Sequence, residues 1–290
     1  MLVTRIALLA ALLALSPAAH ATPALTVVAA ENVYGDIAAQ VAGPDAAVSS
    51  ILSNPDEDPH MFEASPSVAR ALSGARIVIY NGADYDPWMP RLLGAARSAD
   101  RRVIVVADLL HTPPGANPHL WYDAAAVAAA ARALAAACST ADPGHADDYA
   151  RRLGSLLASL KPLDAKIAAM RGAFHDAKVT ATEPVFGYMA TALGLEMRNA
   201  RFQVAVMNGT EPAASDVAAF DADLRQHRVR VMLYNNQATN SSAKRLMRLA
   251  IQSNVPVVGV SETEPPGKSY QAWMTGQLDA LDAALAKPGS

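Results

Sequence analysis

Two histidines of this chain follow the same short step. His60 lies in the stretch SNPDEDPHMFEASPS after Asp58-Pro59, and His119 follows Asn117-Pro118. Proline fixes its own φ and restricts the backbone of the residue before it. Each histidine side chain therefore projects from a turn that has little backbone freedom. Asx-Pro is also ordinary turn chemistry, and either step alone would indicate a surface loop. The repetition of the step favours a pair of metal ligands, because a ligand must be held in place to bind tightly.

Two glutamates in the second half of the chain complete a candidate ligand set. Glu183 ends the stretch KVTATE, and Glu262 follows VPVVGVS. Two imidazoles and two carboxylates would neutralise a divalent cation, and this mixture of nitrogen and oxygen donors suits Zn, Mn or Fe(II). A solvated strand end is the alternative interpretation for each glutamate. Glu211 and Glu264 are rivals for the fourth position.

The elements that must position these residues alternate along the chain. Val- and Ile-rich runs predict strands at 25–30, 48–52, 76–81 and 103–108, and again at 178–182, 229–235 and 255–260. Helical patterns lie between them, at 32–42, 67–75, 184–194 and 240–253. Such alternation predicts an α/β fold of two lobes, each a mostly parallel sheet flanked by helices. Ligands collect outside the carboxyl ends of parallel strands, so we expect the histidines and glutamates to face each other across a cleft between the lobes.

One long helix is predicted between the lobes. Apolar residues recur every three or four positions over residues 144–174, which is typical of an amphipathic helix. Pro162 falls inside this segment and predicts a kink or a local break. The predicted organisation is therefore a first lobe at 22–143, a linking helix at 144–174 and a second lobe at 175–290.

The N-terminal residues predict export. Residues 1–21 combine one arginine, a short apolar run and the small-residue site Ala19-His20-Ala21, which is typical of a cleavable signal peptide. The only cysteine, Cys138, lies far from that site, so neither an internal disulfide nor an N-terminal lipid is expected. The formal net charge is −3 and no basic block is present, which argues against a nucleic-acid partner. We expect a protein free in the periplasm.

Several stretches together resemble a known family, the zinc- and manganese-binding solute receptors of ABC transporters. They are ENVYGDIAAQVAG, DPHMFEASPS, YNGADYDPWMPRLL, NPHLWYD, TEPVFGYMATALGL and VPVVGVSETEPPGKSYQAWM, which cover nearly all of the chain after the leader. The resemblance implies a monomer that carries one Mn²⁺ or Zn²⁺ ion in the cleft and delivers it to a membrane permease, without catalysis. Matched by motif, the family's four ligands fall on His60, His119, Glu183 and, in place of the usual Asp, on or beside Glu262.

Two departures from the family pattern bear on the choice of metal. The loop before His119 is short and contains only His111, whereas many zinc-specific members carry a long His-rich loop there. Glu183 supplies oxygen where zinc receptors more often place histidine. Both features favour Mn slightly, although Zn binds such ligands more tightly than Mn in any case.

Two further alternatives concern the chemistry and the surroundings of the site. An exported single-zinc metallohydrolase would use His60, His119 and one glutamate as ligands and the other glutamate as a general base. The sequence has no H-E-x-x-H helix, so a binding protein is favoured. In the stretch YNNQATNSS, Asn235, Asn236 and Gln237 predict a turn before a helix cap, with orientation of a carboxylate as the less favoured interpretation.

Overall fold

A computed structural model describes residues 25–56, 59–113, 115–237 and 241–287. For His60 it describes the backbone but not the side chain. The predicted signal peptide lies outside the described residues.

The first lobe alternates strands and helices from its first described residue. Its elements are β1 (Leu25–Glu31), α1 (Asn32–Ala42), β2 (Ala46–Leu52), α2 (Pro66–Gly74), β3 (Ile77–Tyr80), α3 (Trp88–Ala95), β4 (Arg102–Val105), α4 (Val106–Leu109) and α5 (Ala124–Ala141). Local chemistry accounts for several boundaries. Pro66 occupies the first turn of α2, where its missing N–H costs nothing. The Asp123 side chain caps α5 by accepting a hydrogen bond from the Ala125 N–H.

A long helix, α6 (Ala146–Phe174), leads into the second lobe. That lobe contains β5 (Lys178–Ala181), α7 (Gly187–Ala192), β6 (Glu196–Arg198), α8 (Ala200–Met207), α9 (Ala214–Arg225), β7 (Val231–Asn235), α10 (Ser241–Gln252), β8 (Val257–Val260) and α11 (Tyr270–Leu285). The two-lobe α/β prediction is confirmed.

Both sheets have the same topology. The strand orders are β2-β1-β3-β4 and β6-β5-β7-β8, and every pairing is parallel. The chain reverses its direction of winding between β1 and β3 in the first sheet and between β5 and β7 in the second. Ligand-binding crevices form outside the carboxyl ends of strands at such reversals. The fold therefore offers two candidate crevices, one from each lobe.

Side-chain alternation along the central strands places each sheet between two cores. In β1, Val27 and Ala29 join the main core, whereas Val28 and Ala30 join a smaller core with Leu72 of α2. The second sheet alternates in the same way, because Val231 and Leu233 of β7 face the main core while Met232 and Tyr234 pack with Phe220 of α9. The main core contains buried residues of both lobes and of α5, α6 and α11, so the lobes are packed together by one continuous apolar interior.

The helix α5 is long and apolar enough to cross a membrane by length and composition alone. Its inner face, including Leu134 and Cys138, is buried in the main core. This burial explains the composition of α5 as that of a core helix, in which Cys138 is a small buried residue.

Three details differ from the sequence-based expectations. The strand predicted at 103–108 ends at Val105, and Val106–Leu109 form a single helical turn. Short apolar runs do not distinguish a strand from a buried helical turn, which explains this difference. The edge strand β6 was not predicted, because its three residues Glu196–Arg198 are largely polar. The local break expected at Pro162 does not occur, since α6 continues through it.

We predict that Pro162→Ala stabilises the protein. Pro162 is exposed inside α6, where proline removes one backbone hydrogen bond. Alanine should restore that bond, and after allowance for the greater freedom of the unfolded chain the gain should be about 2 kcal/mol. Urea unfolding of the two proteins measures the difference, with Lys161→Ala on the same exposed turn as the control. A loss of stability on removing Pro162 would instead mean that the lobes require a bend there.

Candidate functional site

The His119 side chain is fully buried and held in one orientation by Asn117. The Asn117 amide nitrogen donates to the Pro184 carbonyl at 2.7 Å, so its oxygen must face His119. That oxygen accepts from the His119 backbone N–H at 3.1 Å and lies 2.6 Å from Nδ1. Because an amide oxygen only accepts, Nδ1 carries a proton and donates it. With the proton on Nδ1, the neutral form of the ring carries its lone pair on Nε2, which is the tautomer of a histidine ligand.

The Nε2 atom of His119 faces a carboxylate. It lies 3.4 Å from Glu262 Oε2, and both side chains are wholly buried. Nε2 is buried without a hydrogen-bond partner among the described residues. A cation bound between them would use the lone pair of Nε2 and a further lone pair of Oε2, which also accepts a hydrogen bond from Tyr85.

The loop that carries His119 is fixed by both lobes. On its own side, Asn81 at the end of β3 donates to the Pro118 carbonyl at 2.7 Å. From the second lobe, the Tyr188 hydroxyl donates to the Asn117 carbonyl at 2.7 Å. A Cβ on Gly187 would lie only 2.6 Å from the Asn117 amide nitrogen, so a glycine is needed for this close approach. The position of His119 therefore depends on contact between the lobes.

The two carboxylates of the second lobe meet at Asn235, the last residue of β7. The Asn235 amide nitrogen donates to Glu183 Oε2 at 2.8 Å and to Glu262 Oε1 at 2.7 Å. Asn235, Glu183 and Glu262 are all buried. Glu183 follows β5, so this contact lies at the winding reversal of the second sheet, as the topology predicts.

Glu262 is also held by two other residues, Tyr85 and Gln237. The Tyr85 hydroxyl of the first lobe donates to Oε2 at 2.9 Å. The Gln237 side-chain oxygen accepts from the backbone N–H groups of Glu262 and Thr263, at 2.7 and 3.0 Å. The structure thus shows Asn235 and Gln237 orienting the carboxylate segment, which was the less favoured interpretation of YNNQATNSS. The favoured one, a turn, is also present, because the Gln237 N–H donates to Asn235 Oδ1 at 3.1 Å.

The side chain of His60 lies outside the described part of the structure, so its predicted role as a ligand stays a prediction. The backbone of Pro59–Met61 forms a short 3-10 turn after β2. Pro59 is buried, and the Phe62 ring packs on Trp88 with centroids 4.5 Å apart. The turn that carries His60 is therefore anchored at both ends.

Within the described ranges, no group of three or more His, Cys, Asp and Glu side chains has metal-binding geometry. What the structure does bring together is the pair His119 and Glu262, with Glu183 joined to it through Asn235. Two carboxylates and one imidazole of the predicted set therefore share one buried region.

The two rival glutamates lie elsewhere. Glu211 is exposed in the segment after α8. Glu264 is buried, but its backbone is clamped by Asn32 of α1, which donates to its carbonyl at 2.7 Å and accepts from its N–H at 3.0 Å. Burial, and then the nearby Asp36, raise the pKa of the Glu264 carboxyl to about 9. Glu264 therefore belongs to the contact between α1 and the second lobe.

A second pair of buried acids lies at the winding reversal of the first sheet. Burial, and then the neighbouring Asp86, raise the pKa of Glu31 well above its ordinary value. Asp86 accepts from the backbone N–H groups of Asn81 and Gly82 at 2.8 and 3.0 Å, whereas the Glu31 oxygens receive no such donor among the described residues. Burial raises the pKa of Asp86 only to about 6, because these donors favour its ionised form, so Glu31 is the member of the pair that holds the proton.

The sequence-based reasoning missed Tyr85, Glu31 and Asp86. Tyr85 and Asp86 occur in GADYDPW, a stretch that contributed to the family resemblance but received no role. Glu31 ends a strand in the same way as Glu183, so the signal that selected Glu183 would also have selected Glu31. Three other histidines lie away from this region: His111 is in a loop, and the side chains of His145 and His175 are about half exposed.

A family comparison matches almost the whole described chain. The model for "Zinc-uptake complex component A periplasmic" matches residues 27–284. Among individual proteins, the zinc-binding protein TroA of Treponema pallidum is 23% identical, over 81% of each chain. The metal ABC transporter substrate-binding lipoprotein SloC of Streptococcus mutans is also 23% identical, over 91% of this chain and 90% of its own.

Solved structures show the same fold. The periplasmic zinc-binding protein TroA from Treponema pallidum superposes with a TM-score of 0.77 at 20% identity, covering 91% of this chain and 99% of its own. The solute-binding protein FpvC of P. aeruginosa, solved with Ni²⁺, has a TM-score of 0.73 at 19% identity, covering 92% and 98%. The arrangement of two lobes and a linking helix is thus shared with a zinc-binding protein and with a protein solved with Ni²⁺.

We predict that the buried proton on Glu31 makes stability depend on pH. The ordinary pKa of glutamate is 4.5, and the folded-state pKa of Glu31 lies well above it. Above about pH 4.5 the unfolded chain releases a proton that the folded chain keeps, so the free energy of unfolding falls as pH rises, by up to about 1.4 kcal/mol per pH unit. Glu31→Gln keeps a neutral donor toward Asp86 and removes this dependence.

The measurement is urea unfolding of metal-free protein from pH 5 to pH 8. The stability of Glu31→Gln relative to the unmodified protein should rise steadily with pH. Glu63→Gln, at an exposed position, is the matched control. Its free energy of unfolding should differ from that of the unmodified protein by the same amount at every pH. A constant difference for Glu31→Gln as well would mean that Glu31 is ionised in the folded protein.

Proposed function

Because the chain belongs to the family of periplasmic zinc-uptake components, we propose that it captures one divalent transition-metal ion, Mn²⁺ or Zn²⁺, between its lobes and delivers it to a membrane permease. Members of this family are metal-binding, substrate-binding components of ABC transporters, and this chain is one of them. The ion is the cargo. The proposed ligands are His60 and His119 from the first lobe and Glu183 and Glu262 from the second.

One observation carries the assignment of the ligands. The lone pair of His119 Nε2 faces a carboxylate oxygen of Glu262 at 3.4 Å with both side chains closed to water. His119 Nε2 has no hydrogen-bond partner among the described residues, and a divalent cation would use its lone pair together with a further lone pair of Oε2, which also accepts from Tyr85. Glu183 supplies a second negative charge through its shared contact with Asn235, so two carboxylates match the charge of the ion.

The arrangement also supports capture rather than catalysis. Glu262 accepts hydrogen bonds from Asn235 and Tyr85, and Glu183 accepts one from Asn235. Carboxylates held in this way are suited to ligation rather than to taking a proton from a mobile water. The alternative of an exported single-zinc metallohydrolase is not supported by the family or by its relatives, which are metal-binding transport proteins.

The proposal places the protein in the periplasm as a monomer. Its support is the predicted signal peptide at 1–21 together with the burial of Cys138 inside α5, where the thiol is not accessible to a lipid. The relative SloC, by contrast, is named a lipoprotein. The partner is the cognate ABC permease of the inner membrane, which the two lobes would contact together.

We predict that the exported protein binds one Mn²⁺ or Zn²⁺ per chain and that the ion raises its melting temperature. At a free-metal concentration one hundred times the Kd, linkage adds about 2.7 kcal/mol, which corresponds to roughly 5–10 °C for a chain of this size. Metal analysis after dialysis and a thermal scan of chelator-stripped protein measure the two effects. Neither uptake nor a rise in Tm with either ion would contradict the proposal.

We predict that the metal affinities of substituted proteins distinguish the proposed ligands from neighbouring residues. Glu183→Gln and Glu262→Gln each remove a negative charge from the site, so affinity for the ion should fall by roughly 100-fold or more, beyond the usual effect of residues that only support a ligand. The affinity of His119→Ala for the ion should fall at least as far. Competition with a chromogenic chelator measures each affinity.

Matched controls lie close to each ligand in the sequence. Glu264→Gln and Glu211→Gln test the rival carboxylates, and His111→Ala is the control for His60→Ala and His119→Ala. All three controls should keep affinity within a few-fold. Loss of uptake in Glu264→Gln or Glu211→Gln, with binding retained in Glu262→Gln, would show that the fourth ligand is misassigned.

A further inference from the structure

The loop that carries Glu262 is buried and irregular. Residues 261–264 follow β8 and are neither helix nor strand, and the last three of them are buried. Backbone N–H and C=O groups that are removed from water need hydrogen-bond partners, which regular secondary structure does not supply to this loop. The position of Glu262 therefore depends on the side chains that hold the backbone around it.

The second lobe supplies one of these side chains. Gln237 Oε1 accepts from the backbone N–H groups of Glu262 and Thr263, at 2.7 and 3.0 Å. The Gln237 amide nitrogen donates to the Thr263 hydroxyl at 2.9 Å. Gln237 thus ties the first half of the loop to the lobe from which the loop emerges.

The first lobe holds the second half of the loop through Asn32, the first residue of α1. Asn32 Oδ1 accepts from the Glu264 N–H at 3.0 Å, and Asn32 Nδ2 donates to the Glu264 carbonyl at 2.7 Å. Because a backbone N–H only donates and a carbonyl only accepts, these two bonds fix the orientation of the Asn32 amide. Both bonds go to the backbone, so they do not depend on the carboxyl group of Glu264.

The first lobe also contacts this loop on the other side of Glu262. The Tyr122 hydroxyl lies 2.7 Å from the Ser261 carbonyl oxygen, and its single hydrogen can go there or to Gln277 Oε1, 2.8 Å away. The Tyr85 hydroxyl donates to the carboxyl group of Glu262 itself. Side chains of the first lobe therefore contact the loop before, at and after Glu262.

We propose that Asn32 is a positioning residue for metal binding, which fixes the backbone next to Glu262 to the first lobe and so keeps the Glu262 carboxyl group opposite His119. The inference rests on the proposed function, since it requires Glu262 to be a ligand. Asn32 and His119 belong to the same lobe, so the pair His119 and Glu262 is assembled on the first lobe although Glu262 follows a strand of the second. Asn32 acts through the backbone of the loop and does not contact the ion.

The test compares the metal affinity of Asn32→Ala with that of the unmodified protein. Alanine removes both bonds to Glu264 and is the best helix former, so α1 should form as before. The affinity for Zn²⁺, measured by competition with a chromogenic chelator, should fall roughly tenfold, which is the lower end of the effect of residues that hold a ligand in place.

Gln40→Ala is the matched control. Gln40 lies about two turns further along the same face of α1. It forms a reciprocal pair of amide hydrogen bonds with Gln271 of the second lobe, at 2.9 and 3.2 Å. The substitution removes a contact between the lobes without touching the loop of Glu262, so the affinity for Zn²⁺ should stay within a few-fold.

A double-mutant cycle distinguishes positioning of Glu262 from a general effect on the fold. In the Glu262→Gln background, Asn32→Ala should cause little further loss of affinity, because the carboxylate that Asn32 positions is already gone. In the Glu183→Gln background, the roughly tenfold loss should remain. The same loss in both backgrounds would mean that Asn32 does not act through Glu262 and would overturn the inference.

Thermal unfolding of each metal-free variant shows whether it is folded. Asn32→Ser, whose side chain is too short to make both bonds, repeats the test if Asn32→Ala does not fold. Failure of both variants to fold without metal would make the contact a requirement of the fold and overturn the inference, as would unchanged affinity in folded Asn32→Ala. Uptake of neither Zn²⁺ nor Mn²⁺ by the unmodified protein would instead contradict the proposed function.

Discussion

Glu183 and Glu262 are two buried carboxyl groups, and one oxygen of each lies within 2.8 Å of the same amide nitrogen. Burying one ionised carboxylate without a partner is costly, and burying two together is more so. The surrounding structure reduces this cost with N–H and O–H donors from Asn235 and Tyr85. The facing lone pair of His119 Nε2 adds a third electron-rich atom, so the region has an excess of acceptors that a divalent cation balances. Most of the structure around the cleft serves to hold these groups together.

The groups are held by the strand ends of both lobes. Glu183 and Asn235 lie at the winding reversal of the second sheet. Asn81 lies at the winding reversal of the first sheet, where it fixes the loop before His119. Contacts across the boundary are part of the site, since Asn117 reaches Pro184 and Tyr85 reaches Glu262. The continuous apolar core and the unbroken helix α6 limit how far the lobes separate. We therefore expect that capture, on the proposed function, involves small rearrangements of loops and side chains more than wide opening.

Much of this arrangement could be predicted from the sequence. The alternation of strands and helices predicts two parallel sheets, and the rule for their carboxyl ends brings Glu183 and Glu262 toward His119. The orientation of Asn235 could not be predicted, because an Asn at a strand end makes a turn or holds a ligand equally well until its neighbours in space are known. Tyr85 could not be assigned either, since its partner Glu262 lies 177 residues away in the other lobe. Glu31 ends a strand as Glu183 does and could have been selected by the same signal. Patterns along the chain predict where a side chain emerges, whereas its partners depend on packing between elements.

X-ray diffraction from crystals of the zinc-loaded protein, recorded at the zinc absorption edge, locates the ion directly. We expect one anomalous peak per chain, about 2.0–2.2 Å from His119 Nε2 and from one oxygen each of Glu183 and Glu262, with His60 as the fourth ligand. The Asn235 amide should remain within hydrogen-bond distance of both carboxylates. A peak beside Glu264 or Glu211, or an ion that contacts neither Glu183 nor Glu262, would contradict the site described above.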